Sequence, residues 1–165
     1  MDHARHECRA RPSARRRPKK STAQDEALGR SRGGFSTKIH AAVDALGNPL
    51  GFILTPGQAG DCPQAESLLR PYDQEEIKAV LADKGYDSGD LVAYIESFGA
   101  QAVIRSRKNS KAPREIDGAF YKERNKIECF FGRMKHFRRV ATRYEKTAQN
   151  YMAFVHLASI MVLLR

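Results

Sequence analysis

Residues 77–86 read Ile77-Lys78-Ala79-Val80-Leu81-Ala82-Asp83-Lys84-Gly85-Tyr86. A short apolar run that ends abruptly in a carboxylate is what a strand buried in a sheet looks like. In open α/β sheets, ligands gather just past the C-terminal ends of the strands, and Asp83 falls there. Gly85 permits a tight turn behind it. An Asp that only caps its turn would leave the same local pattern, and Asp87 and Asp90 read as residues of that ordinary kind.

On the N-terminal side, Phe35, Thr37, Ile39, Ala41 and Val43 alternate with Ser36, Lys38, His40 and Ala42, the period of a strand. His40 falls on the polar side of that alternation. Leu46-Gly47-Asn48-Pro49 is a turn signal and makes Asp44 a turn residue; residues 50–55 are a second apolar run, so 35–55 read as a hairpin. Asp61, with Gln64 three residues on, marks a helix start whose apolar side is Ala65, Leu68 and Leu69. On the C-terminal side, Ser88 can cap a helix with Leu91, Val92 and Ile95 inward. Gly99 stops it, and residues 101–105 form another short strand. Residues 106–118 read as a charged loop, and two helices follow, near 119–139 and 147–164. The order β-β-α-β-α-β-α-α predicts an α/β domain with a mixed sheet flanked by helices.

The first 28 residues differ in kind. Arg15, Arg16, Arg17, Lys19 and Lys20 crowd one Arg/Ala/Pro-rich tract with no period of 2 or 3.6, which predicts a disordered basic tail and linker. The whole chain of 165 residues carries a net charge of +10, and a surplus of that size points to a polyanionic partner, nucleic acid first among them. Cys8, Cys62 and Cys129 are odd in number and far apart, which argues against a disulfide framework or a zinc site and suits a reducing cytoplasm. No signal peptide is visible, and the apolar run 152–164 is too short to span a bilayer.

The helix predicted near 119–139 carries the chemistry. At 100° per residue, Phe120, Ile127, Phe130, Phe131, Met134 and Phe137 form its buried stripe, and Tyr121, Arg124, Glu128 and Lys135 line the flank. Glu128 is a hard oxygen donor suited to Mg²⁺ or Mn²⁺. Arg124, one turn earlier, can orient that carboxylate and fork onto a phosphate; Lys135 adds a point charge, and Tyr121 can hydrogen-bond or stack. An i,i+4 salt bridge on a solvated helix would account for Arg124 and Glu128 alone. It does not account for the set of four followed by Phe137-Arg138-Arg139 and Arg143.

The spacing Y-x2-R-x3-E-x6-K resembles the signature of the DDE transposases of bacterial insertion sequences. The resemblance runs from about Leu28 to Arg165. Its other landmarks are residues 29–40 (GRSRGGFSTKIH), 82–87 (ADKGYD) and 138–144 (RRVATRY). It implies an RNase H-like fold and a triad of two aspartates and one glutamate binding two metal ions, Mg²⁺ or Mn²⁺. On that resemblance Asp83 takes the place of the second aspartate and Glu128 that of the glutamate. Tyr121, Arg124, Lys135, Arg138 and Arg139 become DNA-binding residues. Implied partners are the element ends, target DNA and further copies of the chain in a synaptic complex, with no membrane and a cytoplasmic, nucleoid-associated setting.

The implied first aspartate would lie on a strand upstream of residues 19–29. That stretch holds no apolar strand: Asp2 has none before it, Asp25 sits in polar linker, and Asp44 belongs to the hairpin turn. The text switches abruptly near Pro18-Lys19, so residues 1–17 are expected to be read in a shifted frame, leaving 29–165 as a catalytic domain without its first strand. Two functions follow from the sequence: a transposase catalytic domain, or a DNA-binding transposase fragment without catalysis that competes with the complete enzyme. A basic RNA-binding protein would explain the charge but not Asp83 with Glu128.

Overall fold

The computed structural model describes residues 22, 26–31, 34–72, 74–107 and 113–164. The expectations for the basic run, which ends at residue 20, and for a frame shift over residues 1–17 lie outside the described residues.

The alternation at 35–43 folds as read. Strand β2 (Gly34–Val43) pairs antiparallel with β3 (Pro49–Pro56), in a register that sets Ile39 opposite Leu54 and Ala41 opposite Phe52. The turn between them is closed by Asp44, whose Oδ1 accepts from the amides of Leu46 and Asn48 at 2.8 Å each. A short strand β1 (Gly29–Ser31) adds to the free edge of β2, with Gly29 opposite Ser36. Ladder pairing with β2, which composition does not reveal, orders these residues.

The run 77–82 yields β4 (Ala79–Ala82), parallel to β5 (Gln101–Ile104) from Ala79 opposite Gln101 to Ala82 opposite Ile104. The crossover between them is α2 (Gly89–Ser97), which buries Leu91, Val92 and Ile95 and ends where Gly99 adopts a φ of +78°. The protein is therefore a mixed α/β fold. It carries its strands as two sheets, one antiparallel and one parallel, and among the described residues no strand joins them.

Each sheet has its own core. Ala65, Leu91, Val92, Ile95, Ala102 and Ile104 pack around the parallel pair. Phe130, Met134, Val140, Tyr151, Val155 and Val162 pack under the antiparallel sheet, against Ile39, Ala41, Phe52 and Leu54. Helix α1 (Cys62–Leu69) bridges the two, touching β2, β3 and α2.

The segment 119–139 departs from expectation. Instead of one helix there are three: α3 (Gly118–Lys122), α4 (Asn125–Met134) and α5 (Arg138–Ala141). At the first break Arg124 N bonds Tyr121 O at 3.2 Å and Ile127 N bonds Arg124 O at 3.2 Å, so the chain tightens to i→i−3 bonding. The tightening suits the i,i+3 ion pair of Glu123 with Lys126 at 2.8 Å. At the second break Phe137 is extended, and its half-buried ring packs on the core of the antiparallel sheet. The predicted apolar stripe survives the breaks except at Phe120, which is exposed. Helix α6 (Ala148–Leu163) starts at Thr147, whose Oγ1 accepts from Asn150 N at 3.3 Å. Among the described residues no helix is long and apolar enough to cross a membrane.

Candidate nucleic-acid interface

Asp83 stands one residue past the end of β4. Its Oδ1 accepts from the Gly85 amide at 2.7 Å and caps a 3₁₀ turn, Lys84–Tyr86. Gly85 leaves room for that carboxylate: a Cβ there would lie 2.8 Å from Asp83 Oδ1, so the side chain would have to shift. The turn is also gripped from outside. Cys62 Sγ donates to Gly85 O at 3.1 Å, and Arg107 Nη2 reaches the same oxygen at 3.4 Å. Burial, and then the charges of Asp61 and Asp83, push the Tyr86 hydroxyl up to about 12.

Asp87 is not free for a ligand. It accepts from the Arg107 amide at 2.7 Å and from the Arg114 guanidinium, which also donates to Ile104 O at 3.3 Å. The Arg107 amide and then the Arg114 side chain hold its carboxyl below the usual range. This lock fastens the start and end of the charged loop to the Asp83 turn. Sequence reading missed it, because Arg107 and Arg114 are single arginines whose partner is set by tertiary packing.

His40, on the polar side of the β2 alternation, is nonetheless buried; its Nε2 lies 2.7 Å from Thr55 Oγ1 and its Nδ1 4.0 Å from Asp61 Oδ1. Lys38 Nζ reaches Asp61 at 2.8 Å and Ala59 O at 2.7 Å, so the polar face of β2 is roofed by residues 55–61. Asp61 precedes α1 but makes no side-chain cap.

Tyr121, Arg124 and Glu128 meet as the spacing predicts, across the break between α3 and α4. Arg124 Nη2 lies 2.7 Å from Glu128 Oε1, and the Arg124 guanidinium lies 5.5 Å from the centre of the Tyr121 ring. Burial works against the Arg124 charge, but the hydrogen bond and charge of Glu128 outweigh it and raise its pKa. Arg124 Nε is buried with no hydrogen-bond partner. A second cation, Arg105, sits 4.7 Å from the centre of the same Tyr121 ring. Arg105 follows β5 as Asp83 follows β4, one step past the last pair of the ladder. It thus ties the strand ends to the helix, and no local sequence signal singled it out. Arg105, Tyr121, Lys122, Arg124 and Asn125 line an open cleft of about 480 Å³.

The remaining predicted residues lie apart from that cleft. Lys135 is exposed at the C-terminus of α4. Arg138 and Arg139 belong to α5; Arg139 pairs with Glu145 at 2.6 Å and stacks on Phe154, and Arg138 donates to Tyr144 Oη at 3.0 Å. Asp83 and Glu128 are both exposed carboxylates, and among the described residues no group of three or more His, Cys, Asp or Glu side chains could hold a metal ion.

Comparison with known proteins supplies the context. The family described as transposase DDE domain matches residues 10–163. A Brucella ovis protein named as a transposase for insertion sequence element IS6501 is 47% identical over 132 residues, 79% of this chain and 100% of the relative. A Burkholderia cepacia protein named as a transposase for insertion sequence element IS402 is 30% identical over 135 residues, 76% of this chain and 62% of the relative. No solved structure matches the chain.

Proposed function

The chain belongs to the transposase DDE domain family, and from that premise we propose that it acts on DNA in transposition, with the Tyr121–Arg124 cleft as a seat for the phosphates of insertion-sequence ends. The observation that carries this reading is the buried, unpartnered Nε of Arg124. An unsatisfied buried N–H costs about 1–3 kcal/mol. A phosphate oxygen entering between Arg105 and Arg124 relieves that cost and finds two forked cations. Tyr121 holds both guanidiniums by cation–π contact, so the fork is ordered before DNA arrives. Lys135, Arg138 and Arg139 extend the positive surface along the backbone.

Asp83 and Glu128 are the carboxylates proposed to hold Mg²⁺ or Mn²⁺ for strand cleavage and transfer. Their hard oxygen donors suit such ions, which when bound activate an attacking oxygen and stabilise a leaving one. Two carboxylates, one already paired with Arg124, do not make up a two-metal centre among the described residues, and no step is routed through one. The fold is proposed to be RNase H-like, the antiparallel hairpin and the parallel strand pair being its two halves. A cytoplasmic, nucleoid-associated protein working as several copies in a synaptic complex follows from the same reading.

Duplex binding by fluorescence anisotropy at several salt concentrations tests the phosphate seat. Arg105→Gln and Arg124→Gln should each weaken binding to all sequences alike and lower the salt slope by about 1. Unchanged slopes in both variants overturn it. A second reading, a DNA-binding fragment without catalysis, is favoured by the pairing of Glu128 with Arg124 and by the lack of a third carboxylate beside it among the described residues. Purified chain incubated with end DNA and Mg²⁺ decides between them: nicked product supports the enzyme, and intact DNA that blocks a complete transposase supports the fragment.

A further inference from the structure

The three arginines of the segment 138–143 are put to different uses. Arg143 is turned inward: its Nη1 donates to Thr37 Oγ1 at 2.6 Å and to Glu26 O at 2.8 Å, its Nε to Glu145 O at 3.0 Å, and it lies 5.2 Å from the Tyr151 ring centre. Arg139 is spent on Glu145 at 2.6 Å and on the Phe154 ring at 4.6 Å. These two build a shelf that fastens the end of α5 to α6 and β2. Arg138 is left over: among the described residues it makes no ion pair, and its one hydrogen bond, from Nε to Tyr144 Oη at 3.0 Å, leaves its terminal amino groups to solvent.

Tyr144 is the outlying tyrosine. The chain has six, and it alone is exposed, at 54%, while Tyr151 is buried and the others are half-buried. A tyrosine ring joins an apolar face to a polar edge, and here that face is open to a stacking partner. Its position is fixed by Arg138, whose guanidinium lies 5.8 Å from the ring centre, and by its own amide, which donates to Glu145 Oε2 at 3.2 Å. Arg138, Arg139 and Tyr144 line an open cleft of about 300 Å³. Small-molecule sites run from roughly 300 to 1,000 Å³.

We infer that this cleft is a platform for one unpaired DNA base, stacked on Tyr144 with its neighbouring phosphate on Arg138. The charge of the wall calls for an anion, and the ring calls for a flat apolar face. A nucleotide out of the duplex stack offers both at once, whereas an intact duplex offers only phosphates. This site is separate from the Tyr121–Arg124 cleft, although it rests on the reading that the chain handles DNA.

The test compares a dT oligonucleotide with an abasic strand of the same length, using the full chain in anisotropy. Stacking is worth enough that the wild-type protein should favour dT by at least about fivefold. Tyr144→Leu should abolish that preference, and Tyr144→Phe should keep it. Because the chain has no Trp, Tyr144→Trp adds a spectroscopic signature: dT should quench its fluorescence, and the abasic strand should not. Equal affinity for the two strands, or a preference that survives Tyr144→Leu, overturns the inference while duplex binding leaves the DNA reading standing. Loss of all DNA binding in the wild type overturns both. A Tyr144→Leu effect on self-association alone assigns the face to a second copy and also overturns it.

Discussion

The Arg124 guanidinium touches Glu128 on one side, at 2.7 Å, and the Tyr121 ring on the other, 5.5 Å from its centre. The two residues are thus coupled in a way neither function alone requires. While Arg124 holds Glu128, that carboxylate is partly neutralised, and a phosphate arriving at Arg124 must compete with it.

That competition has a sign. In the presence of a chelator, Glu128→Gln should bind duplex DNA a few-fold more tightly than wild type, because the guanidinium is released and one negative charge is lost. Exposed ion pairs are worth only about 0.2–1 kcal/mol, so stability should hardly change. Anisotropy titration in chelator checks it; weaker binding by Glu128→Gln would show that the carboxylate itself orders the Arg124 fork.

The Asp83 turn gives a second prediction. Asp83→Ala removes the acceptor for Gly85 N and should cost about 0.5–2 kcal/mol, the range for lost caps. Asp83→Asn keeps an oxygen in place and should cost much less. Gly85→Ala should destabilise by at least as much as Asp83→Ala, since its Cβ must push the carboxylate aside. Urea unfolding of the three variants measures the order. Equal stability of Asp83→Ala and wild type would mean that the turn is held by Cys62 and Arg107 alone.

How far the sequence carried these conclusions depends on whether the deciding contact is local. The inner face of α2, the strand ending at Asp83, the Asp44 turn and the meeting of Tyr121, Arg124 and Glu128 are all set by residues within a few positions of one another, and all were legible. His40 was not: alternation put it on the polar side of β2, but residues 55–61 fold over that side and bury it. Arg105 and Arg114 were not, because each finds its partner across the β4–β5 end. The break at Arg124 was invisible to a periodicity count, since four i→i−3 bonds change the phase by too little to disturb an apolar stripe.

The Asp87 lock predicts acid sensitivity. The Arg107 amide and the Arg114 guanidinium depress the folded carboxyl below its unfolded value of about 3.9. Its contribution is therefore complete above that value and disappears as pH falls through the lower folded one. Asp87→Asn should be less stable than wild type at pH 7, and the gap should close below about pH 4. Trypsin should also cut Asp87→Asn faster after Arg107 and Arg114. A gap that persists into acid would show that the hydrogen-bond geometry, and not the charge, fastens the loop.

His40 titrates in a different window, and the sign differs from that of a salt-bridged histidine. Burial lowers its pKa below the ordinary 6.5; Asp61 opposes that shift and Lys38 adds to it. The unfolded chain then binds the proton more readily than the folded one. Stability should fall as pH drops below about 6.5 and stop falling once pH passes the folded value, where both states are charged. The groups facing the imidazole are Thr55, Asp61 and Lys38. His40→Gln keeps a polar partner for Thr55 Oγ1 but cannot titrate, so its urea midpoint should be flat between pH 7 and 5 where that of wild type declines. The same slope in both proteins would assign the pH dependence elsewhere and leave His40 with a packing role alone.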